Sequence, residues 1–341
     1  MKKAVLRVIG FVFSIFIIYC VMSNPICRER SIVQNQAVAM PAINYKEEMI
    51  LLIEQISLYA KARNRSFQVI GNNGLELFQP EEVSGNSLMR LLNSIDGIAM
   101  ESFHYGWEMK DDIRTPSAVR AKLERALAVP LIHKLPIFNI DYCKDRQNSE
   151  KSYQLNDKSG FIAFAADSRQ LDTIPPYPGK IHRENDSDIH NLQQAKNFLV
   201  ILNPQNFADK RSYLQKLRNT NYDLLIIDLY FNSEPLSSAE VASLKIKKNG
   251  AYRLVFAYMS VGEAEEYRPY WQGAWSQFPP DWIMEKNPDW TGNRKVKYWT
   301  EDWKRLLFGS TDAYLDMILA KDFDGVFMDV IDAFEYFEDK Q

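Results

Sequence analysis

The sequence predicts an α/β fold, a (β/α)8 TIM barrel, from two observations. First, eight short apolar segments alternate with helical segments along the 341 residues, and such alternation favours a parallel sheet. Second, several of these segments end in acidic or amide side chains, as at 226–230, 255–263 and 325–332. Polar groups appear where a buried parallel strand leaves the sheet. Because all strands of a barrel end at one mouth, the sequence predicts an active site there.

The first half of the chain opens with an amphipathic helix over 45–64. Met49, Leu52, Ile56 and Tyr59 recur at helical spacing, with Lys and Glu on the other face. Four apolar segments follow, and we expect each to be a strand. These strands are predicted at 67–74, 95–102, 135–142 and 160–167, with helices at 81–93 and 116–128.

A polar segment over 168–195, rich in Pro, His and Asp, interrupts the alternation and is predicted to be a bridging linker. The alternation then resumes. Strands are predicted at 197–203, 222–230, 253–263 and 323–330, and helices at 207–219, 237–248 and 301–320, with a long aromatic loop before the last helix. Eight strands favour one closed barrel; the alternative is two separate open sheets of four strands each.

The first 23 residues have the pattern of an export signal. Lys2 and Lys3 precede an apolar stretch over 4–23, as in secretory signal peptides. An uncleaved membrane anchor is the alternative, although the apolar core over 8–22 is short for a full span. We therefore expect a secreted or periplasmic protein, with a flexible leader over 24–44.

Composition sets further limits on function. The 41 Lys and Arg residues fall to 38 without residues 1–23, against 44 Asp and Glu, which gives a net charge of −6. This mild acidity argues against a nucleic-acid partner and is compatible with a cationic substrate. No Cys/His cluster has metal-ligand spacing, so no metal or other cofactor is expected. We expect a monomer, and a disulfide between Cys27 and Cys143 stays open.

The second half of the chain contains three long motifs: AYMSVGEAEEYRPYW at 257–271, NPDWTGNRKVKYWTEDW at 287–303 and FDGVFMDVIDAFEYF at 323–337. These motifs resemble glycoside hydrolase family 114, the endo-α-1,4-polygalactosaminidase-like TIM barrels. In the first half, YAKARNRSFQVIGNNGLELF, IDGIAMESFHY and GFIAFAADSRQLD resemble the later strands of the family. The resemblance extends over about 46–337 and implies an exported glycosidase acting on galactosamine-containing polysaccharide.

The order of these segments implies a circular permutation. Family strands five to eight resemble 45–167, and strands one to four resemble 196–341, so 168–195 would bridge the two. A closed barrel permits this order because its first and last strands are neighbours. We expect 45–341 to form a single barrel in which the segment at 160–167 pairs with the one at 197–203.

Glycoside hydrolysis requires two carboxyl groups flanking the scissile bond. The resemblance selects Asp329 as nucleophile or charge stabiliser and Glu101 as general acid. Asp228 and Glu263 are expected to bind substrate or to adjust the pKa values of the pair, with structural hydrogen bonding at the rim as the alternative. The other predicted substrate contacts are Asp332, Asp141, Asn73, Tyr230, Tyr258 and Tyr105.

Aromatic residues suggest two further features of the mouth. Tyr298 and Trp299, like the tyrosines above, could stack on sugar rings or be ordinary core. The loop that carries Trp271, Trp275, Trp282 and Trp290 is predicted to be the packed base of a lid. A non-catalytic carbohydrate-binding barrel and a glycosidase with another substrate are the alternative functions.

If residues 1–23 are a signal peptide, mature protein should begin near Asn24. If they are an uncleaved anchor, the protein should stay tethered to a membrane through 4–23. N-terminal sequencing of protein recovered from its native host would measure this. Full-length chain in the soluble cytosol would contradict the prediction.

Overall fold

A computed structural model describes residues 43–340 and contains the eight predicted parallel strands. The predicted segment 1–23 and all but the last two residues of the predicted leader, 24–44, lie outside the described residues. The strands are β1 (Gln68–Asn72), β2 (Gly97–Glu101), β3 (Ile137–Tyr142), β4 (Ile162–Ala166), β5 (Phe198–Ile201), β6 (Leu224–Ile227), β7 (Leu254–Ser260) and β8 (Gly325–Asp329). Nearly all of their residues are buried, as expected for strands covered on both faces. The prediction of a TIM-barrel-like α/β fold is confirmed.

Strand order places the first and last strands side by side. The sheet runs β4-β3-β2-β1-β8-β7-β6-β5, and every pair in it is parallel. In the β1–β8 ladder Gly71 lies opposite Met328, and in the β1–β2 ladder Asn72 lies opposite Ala99. The carboxyl ends of β8, β1 and β2 are therefore neighbours at the mouth.

The barrel is nearly closed between β4 and β5. The predicted hydrogen-bonded pairing of these two strands is wrong, since in the described residues they form the two edges of the sheet. The segment after β4 bonds to the end of β5 instead: Leu202 N donates to the carbonyl of Leu171 at 2.9 Å. Inside the barrel the Phe198 ring lies 5.7 Å from Phe164, so the seam is packed with side chains.

Ten α-helices surround the strands. They are α1 (Tyr45–Arg63), α2 (Gly85–Ser94), α3 (Ser117–Ala126), α4 (Ala128–Ile132), α5 (Arg146–Ser159), α6 (Lys210–Arg218), α7 (Ser238–Leu244), α8 (Glu301–Leu307), α9 (Tyr314–Ala320) and α10 (Phe334–Glu338) within the part of the chain that the structure describes. Helix α1 begins at an Asn44 cap, whose side chain accepts from Glu47 N. It packs against α2, α9, α10 and β1. Lys46 Nζ donates to Glu338 Oε1 at 2.7 Å, which joins α1 to α10.

Helices α4, α5 and α10 were not predicted, and one predicted helix is divided in two. Helix α5 is absent from the prediction because its buried face carries Ser149, Ser152 and Asn156, and such a face has no apolar period to detect. The single helix predicted over 301–320 is two helices, α8 and α9. Gly309 separates them with φ of 109°, a value that is incompatible with a continuing helix.

The predicted aromatic loop after β7 contains a small antiparallel sheet. Its strands are Glu263–Glu265, Ile283–Lys286 and Asn293–Val296, and the third lies between the other two. The first strand begins three residues after β7 ends, so this sheet stands directly at the mouth. A shorter hairpin of Tyr230–Phe231 and Glu234–Pro235 follows β6.

The bridging segment over 168–195 is tied to the barrel by a buried ion pair. Lys247 Nζ lies 2.6 Å from Asp223 Oδ1, and both side chains are fully buried. Asp223 also accepts from Asn185 Nδ2 and from Lys196 N, both in or next to this segment. These added bonds compensate for the cost of burying two charges.

Within 43–340, no helix has the length and apolarity needed to cross a membrane.

Gly325 at the start of β8 is expected to tolerate no side chain. A Cβ there would lie 2.3 Å from the carbonyl oxygen of Gln68 and 2.4 Å from the Phe256 ring. We expect Gly325→Ala to lower the free energy of unfolding by about 1–3 kcal/mol, measured by urea titration.

Gly85→Ala is the matched control, because nothing lies within 4 Å of a Cβ at this first residue of α2. It should leave stability unchanged or slightly raised. Equal losses in the two variants would show that crowding at β8 is not the cause.

Candidate active site

Two carboxyl groups meet at the mouth through one amide. Asn72, at the end of β1, donates from Nδ2 to Glu101 Oε1 and to Asp329 Oδ1, each at 2.9 Å. Glu101 ends β2 and Asp329 ends β8, the two strands that flank β1. The two bonded oxygens thus lie no further apart than two 2.9 Å bonds placed end to end. The predicted catalytic pair is brought together.

The chain turns sharply just after each of these three residues. Asn73, Ser102 and Val330 have φ of 63°, 58° and 61°, in the left-handed region that residues other than glycine seldom adopt. For the β-branched Val330 this conformation is strained, and such strain is concentrated at functional sites. The turn directs Val330 N back to Asp329 Oδ1 at 2.9 Å.

Asp329 is held by three donors. Besides Asn72 and Val330 N, the Tyr258 hydroxyl donates to Oδ2 at 3.0 Å. Burial, and then the nearby charge of Glu101, raise the pKa of Asp329 to about 6, although its hydrogen bonds act in the opposite direction. Asp329 therefore changes its charge close to neutral pH.

Glu101 is held from the other side by Tyr142. The Tyr142 hydroxyl donates to Glu101 Oε2, and Tyr142 is buried at the end of β3. The guanidinium carbon of Arg169 lies 3.9 Å from the centre of the Tyr142 ring. Arg169 is fixed in turn by a 2.6 Å bond from its Nη2 to the carbonyl of Gly106. A residue of the bridging segment thus supports the partner of Glu101.

Asp332 lies three residues beyond Asp329 and is half-buried. Burial, followed by the charges of Asp329 and Glu335, raises the pKa of Asp332 to about 8, and Lys295 only partly offsets this. At neutral pH Asp332 is therefore mostly protonated. Asp332 thus adds a largely neutral carboxyl group near the predicted catalytic pair.

Asp228 forms an ion pair with an arginine that sequence reasoning missed. Arg268 donates from both terminal nitrogens to Asp228, at 2.8 and 2.7 Å, and from Nε to Glu265 at 2.6 Å. The guanidinium carbon also lies within 6 Å of the rings of four tyrosines. These tyrosines are Tyr230, Tyr258, Tyr267 and Tyr314. Asp228 and Tyr230 therefore surround the Arg268 guanidinium, together with Tyr258, which also donates to Asp329.

Glu263 is buried and its carboxylate is occupied by protein groups. It accepts from Asn287 Nδ2 at 2.8 Å and from Asn293 Nδ2 at 3.0 Å, and Lys295 Nζ lies 2.6 Å away. These contacts join the first strand of the small sheet to its neighbours. The structure thus places Glu263 within the support of the mouth.

Three other predicted contacts do not face the pair. Asp141 is fully buried and accepts from His104 N, Tyr105 N, Ser152 Oγ and Asn156 Nδ2, so it faces α5. Successive strand residues point to opposite faces, which is why Tyr142, the next residue, points inward. Tyr105 packs with Cys143 and Tyr153 outside the barrel core. Asn73 Oδ1 accepts from Glu101 N at 3.3 Å and so supports the strand end.

Most aromatic residues of the mouth are packed against one another. The rings of Trp271, Trp275, Trp282 and Trp303 are linked in sequence at 5.3–5.5 Å. Tyr298 is fully buried, and Trp299 packs edge-to-face against Phe337. Trp290 is 38% exposed. The packing of the first three loop tryptophans agrees with a lid base.

No group of three or more His, Cys, Asp or Glu side chains that could hold a metal ion occurs within 43–340.

The residues missed by sequence reasoning are Asn72, Tyr142, Arg169 and Arg268. Strand alternation could have identified Tyr142, because side chains point alternately to the two faces of a strand. Ile140 and Tyr142 therefore share the inward face, and Asp141 between them points outward. The charge patterns around Arg169 and Arg268 carry no comparable signal.

Comparison with known protein families shows what the second half of the chain resembles. Residues 180–341 match the model of glycoside hydrolase family GH114. The resemblance seen in the motifs of this part of the chain is confirmed. The match includes Asp228, Asp329 and Asp332 but not Asn72 or Glu101. The permuted order of the first half therefore stays a prediction.

Curated relatives match part of the chain. The uncharacterized protein MJ1477 of Methanocaldococcus jannaschii is 35% identical over 178 residues, which are 52% of this chain and 49% of the relative. An uncharacterized protein of Thermotoga maritima is 34% identical over 122 residues, 36% of each chain. The chain thus spans at most about half the length of these relatives. A chitinase structure from Bacteroides thetaiotaomicron aligns over 77% of this chain and 88% of its own, with 9% identity and a TM-score of 0.37.

The raised pKa of Asp329 predicts a pH-dependent cost to stability. Its folded pKa of about 6 lies above the ordinary value of 3.8, so the folded state loses stability as pH rises through this interval. We expect Asp329→Asn to unfold at higher urea concentration than the wild type at pH 8. The advantage should shrink as pH falls and vanish below about pH 4.

The asparagine can keep the existing contacts, since its Oδ1 still accepts from Asn72 and Val330 N while Tyr258 can accept from its Nδ2. Urea midpoints of the two proteins between pH 4 and 8 would measure the effect. A difference that does not vary with pH would contradict it.

Proposed function

We propose that this protein is a glycoside hydrolase that uses Asp329 and Glu101 as its two catalytic carboxyl groups. The observation that carries the proposal is the joint hydrogen bonding of both groups to Asn72 at the barrel mouth. In TIM-barrel enzymes chemistry takes place at this face. The match of residues 180–341 to the GH114 family model supports the same reaction class.

The proposed reaction is a double displacement with retention. Glu101 donates its proton to the leaving oxygen while an Asp329 oxygen forms an ester bond to the anomeric carbon and the glycosidic bond breaks. Water then attacks that carbon, gives a proton to Glu101 and releases Asp329. Retaining enzymes separate their carboxyl groups by about 5–5.5 Å and inverting ones by about 6.5–9.5 Å. The shared amide donor favours the shorter separation.

The proposed substrate is a galactosamine-containing polysaccharide, cleaved within the chain. Glu101, Asp329 and Asp332 form no ion pair with a basic residue in the described structure, so an amino sugar would meet carboxyl groups without a competing cation at hydrogen-bonding distance. An ammonium group would favour the ionised form of Asp332. Export through residues 1–23 and the permuted strand order complete this proposal.

Ion pairing elsewhere at the mouth favours a second candidate, a glycosidase for neutral sugar polymers. Arg268 neutralises Asp228, and Lys295 neutralises Glu263. The mouth is thus less acidic than its sequence suggests. Reducing-sugar release from deacetylated and acetylated amino-sugar polymers, compared side by side, distinguishes the two substrate classes.

The two catalytic roles predict different responses to the leaving group. Glu101→Gln should slow polymers and other substrates with poor leaving groups by about 100-fold or more, and activated aryl glycosides far less, because only the former need a proton donor. Asp329→Asn should abolish turnover of both kinds.

Steady-state rates on a matched pair of substrates would measure this. If Asp329→Asn shows the dependence on leaving group and Glu101→Gln does not, the roles are exchanged. Full activity in both variants would remove the pair from the mechanism.

A further inference from the structure

Asn72 is a buried residue that hydrogen-bonds to both carboxyl groups. It is 1% exposed, and its neighbours Gly71 and Ile70 are locked between β8 and β2. An amide nitrogen has two hydrogens and donates only. One hydrogen serves Glu101 Oε1 and the other serves Asp329 Oδ1.

These two bonds limit where a proton can reside. An oxygen that accepts from Asn72 Nδ2 must present a lone pair in that direction, so a proton on either inner oxygen would compete with the bond. Asp329 Oδ1 is further occupied by Val330 N. The outer oxygens, Glu101 Oε2 and Asp329 Oδ2, face the hydroxyls of Tyr142 and Tyr258. A tyrosine hydroxyl can donate or accept, so it is compatible with either protonation state.

Without the amide, the two carboxyl groups could bond to each other directly through one proton. Close carboxyl groups that share a site hold one proton strongly, because both cannot ionise at low cost. Such a proton would lie between the two groups. It would then be less available to a leaving oxygen.

We propose that Asn72 is a positioning residue that separates the two carboxyl groups and confines their shared proton to the outer oxygens, Glu101 Oε2 and Asp329 Oδ2. This inference rests on the proposed function for its catalytic meaning, since it places the proton of the general acid beside Tyr142. The geometry itself is independent of the substrate.

Other titratable or charged groups face the pair, and replacing Asn72 leaves all of them in place. Tyr142 and Arg169 lie on the Glu101 side. Tyr258 and Arg268 lie on the Asp329 side. Asp332, with Lys295 and Glu335 near it, lies beyond Asp329.

The test removes the donors and keeps the shape. Leu has the same number and branching of side-chain heavy atoms as Asn, so Asn72→Leu removes the amide and keeps the branch, and the smaller Asn72→Ala is a second variant should the first not fold. Carbon-13 NMR of the full chain, labelled at Asp and Glu side-chain carboxyl carbons, reports the titration of each group. Comparison with Asp329→Asn and Glu101→Gln assigns the two signals.

The matched control is Asn139→Leu. Asn139 is a fully buried strand asparagine on β3, but it faces α5, where its Nδ2 donates to Asn156 at 2.9 Å. Its loss should lower stability through an unpaired buried partner. It should leave the titration of the carboxyl pair unchanged.

We expect the titration midpoint of Asp329, about 6 in the wild type, to rise by about one unit or more in Asn72→Leu and to stay constant in Asn139→Leu. An unchanged midpoint in the Asn72 variants, or an equal rise in the control, would overturn the inference. The NMR readout needs no turnover. A wild type that hydrolyses no polymer would defeat the proposed function without deciding the role of Asn72.

Discussion

The mouth of this barrel depends on one amide placed between two carboxyl groups. Burial and mutual repulsion both disfavour two carboxylates at this separation. The donors of Asn72, together with Val330 N and the tyrosine hydroxyls, offset that cost. Asn72 and Asp329 are 257 positions apart in sequence. They meet only because the first and last strands of the barrel are neighbours.

The acids of the mouth divide into two groups according to their partners. Asp228, Glu263 and Glu265 are paired with Arg268 or Lys295, and Asp141 is satisfied by backbone and helix donors. These side chains stabilise the structure around the mouth. Within 43–340, no Lys or Arg lies at ion-pair distance from Glu101, Asp329 or Asp332, and burial raises the pKa values of the two aspartates. A carboxyl group that remains without a counter-ion in a cleft is available for chemistry.

The bridging segment has a structural part in the site as well as in the barrel. Its carboxyl-terminal end is fixed by the buried Lys247–Asp223 pair, and Leu171 bonds to the end of β5 across the seam. Between these anchors and β4 lies Arg169, which stacks on Tyr142 and so supports Glu101. The closure of the barrel and the position of Glu101 therefore depend on one segment.

The sequence by itself determined the eight strands and most of the helices, because apolar runs with polar exits are local patterns, and it predicted the mouth as the place of chemistry. It also indicated the pair Glu101 and Asp329, although only through resemblance. It did not reveal α5, whose buried face is polar, or the small sheet within the aromatic loop. Nor could it separate Asp141, which faces a helix, from Tyr142, which faces the site. Tertiary structure decided these points because the direction of a side chain and its partners depend on strand register and on contacts between distant segments.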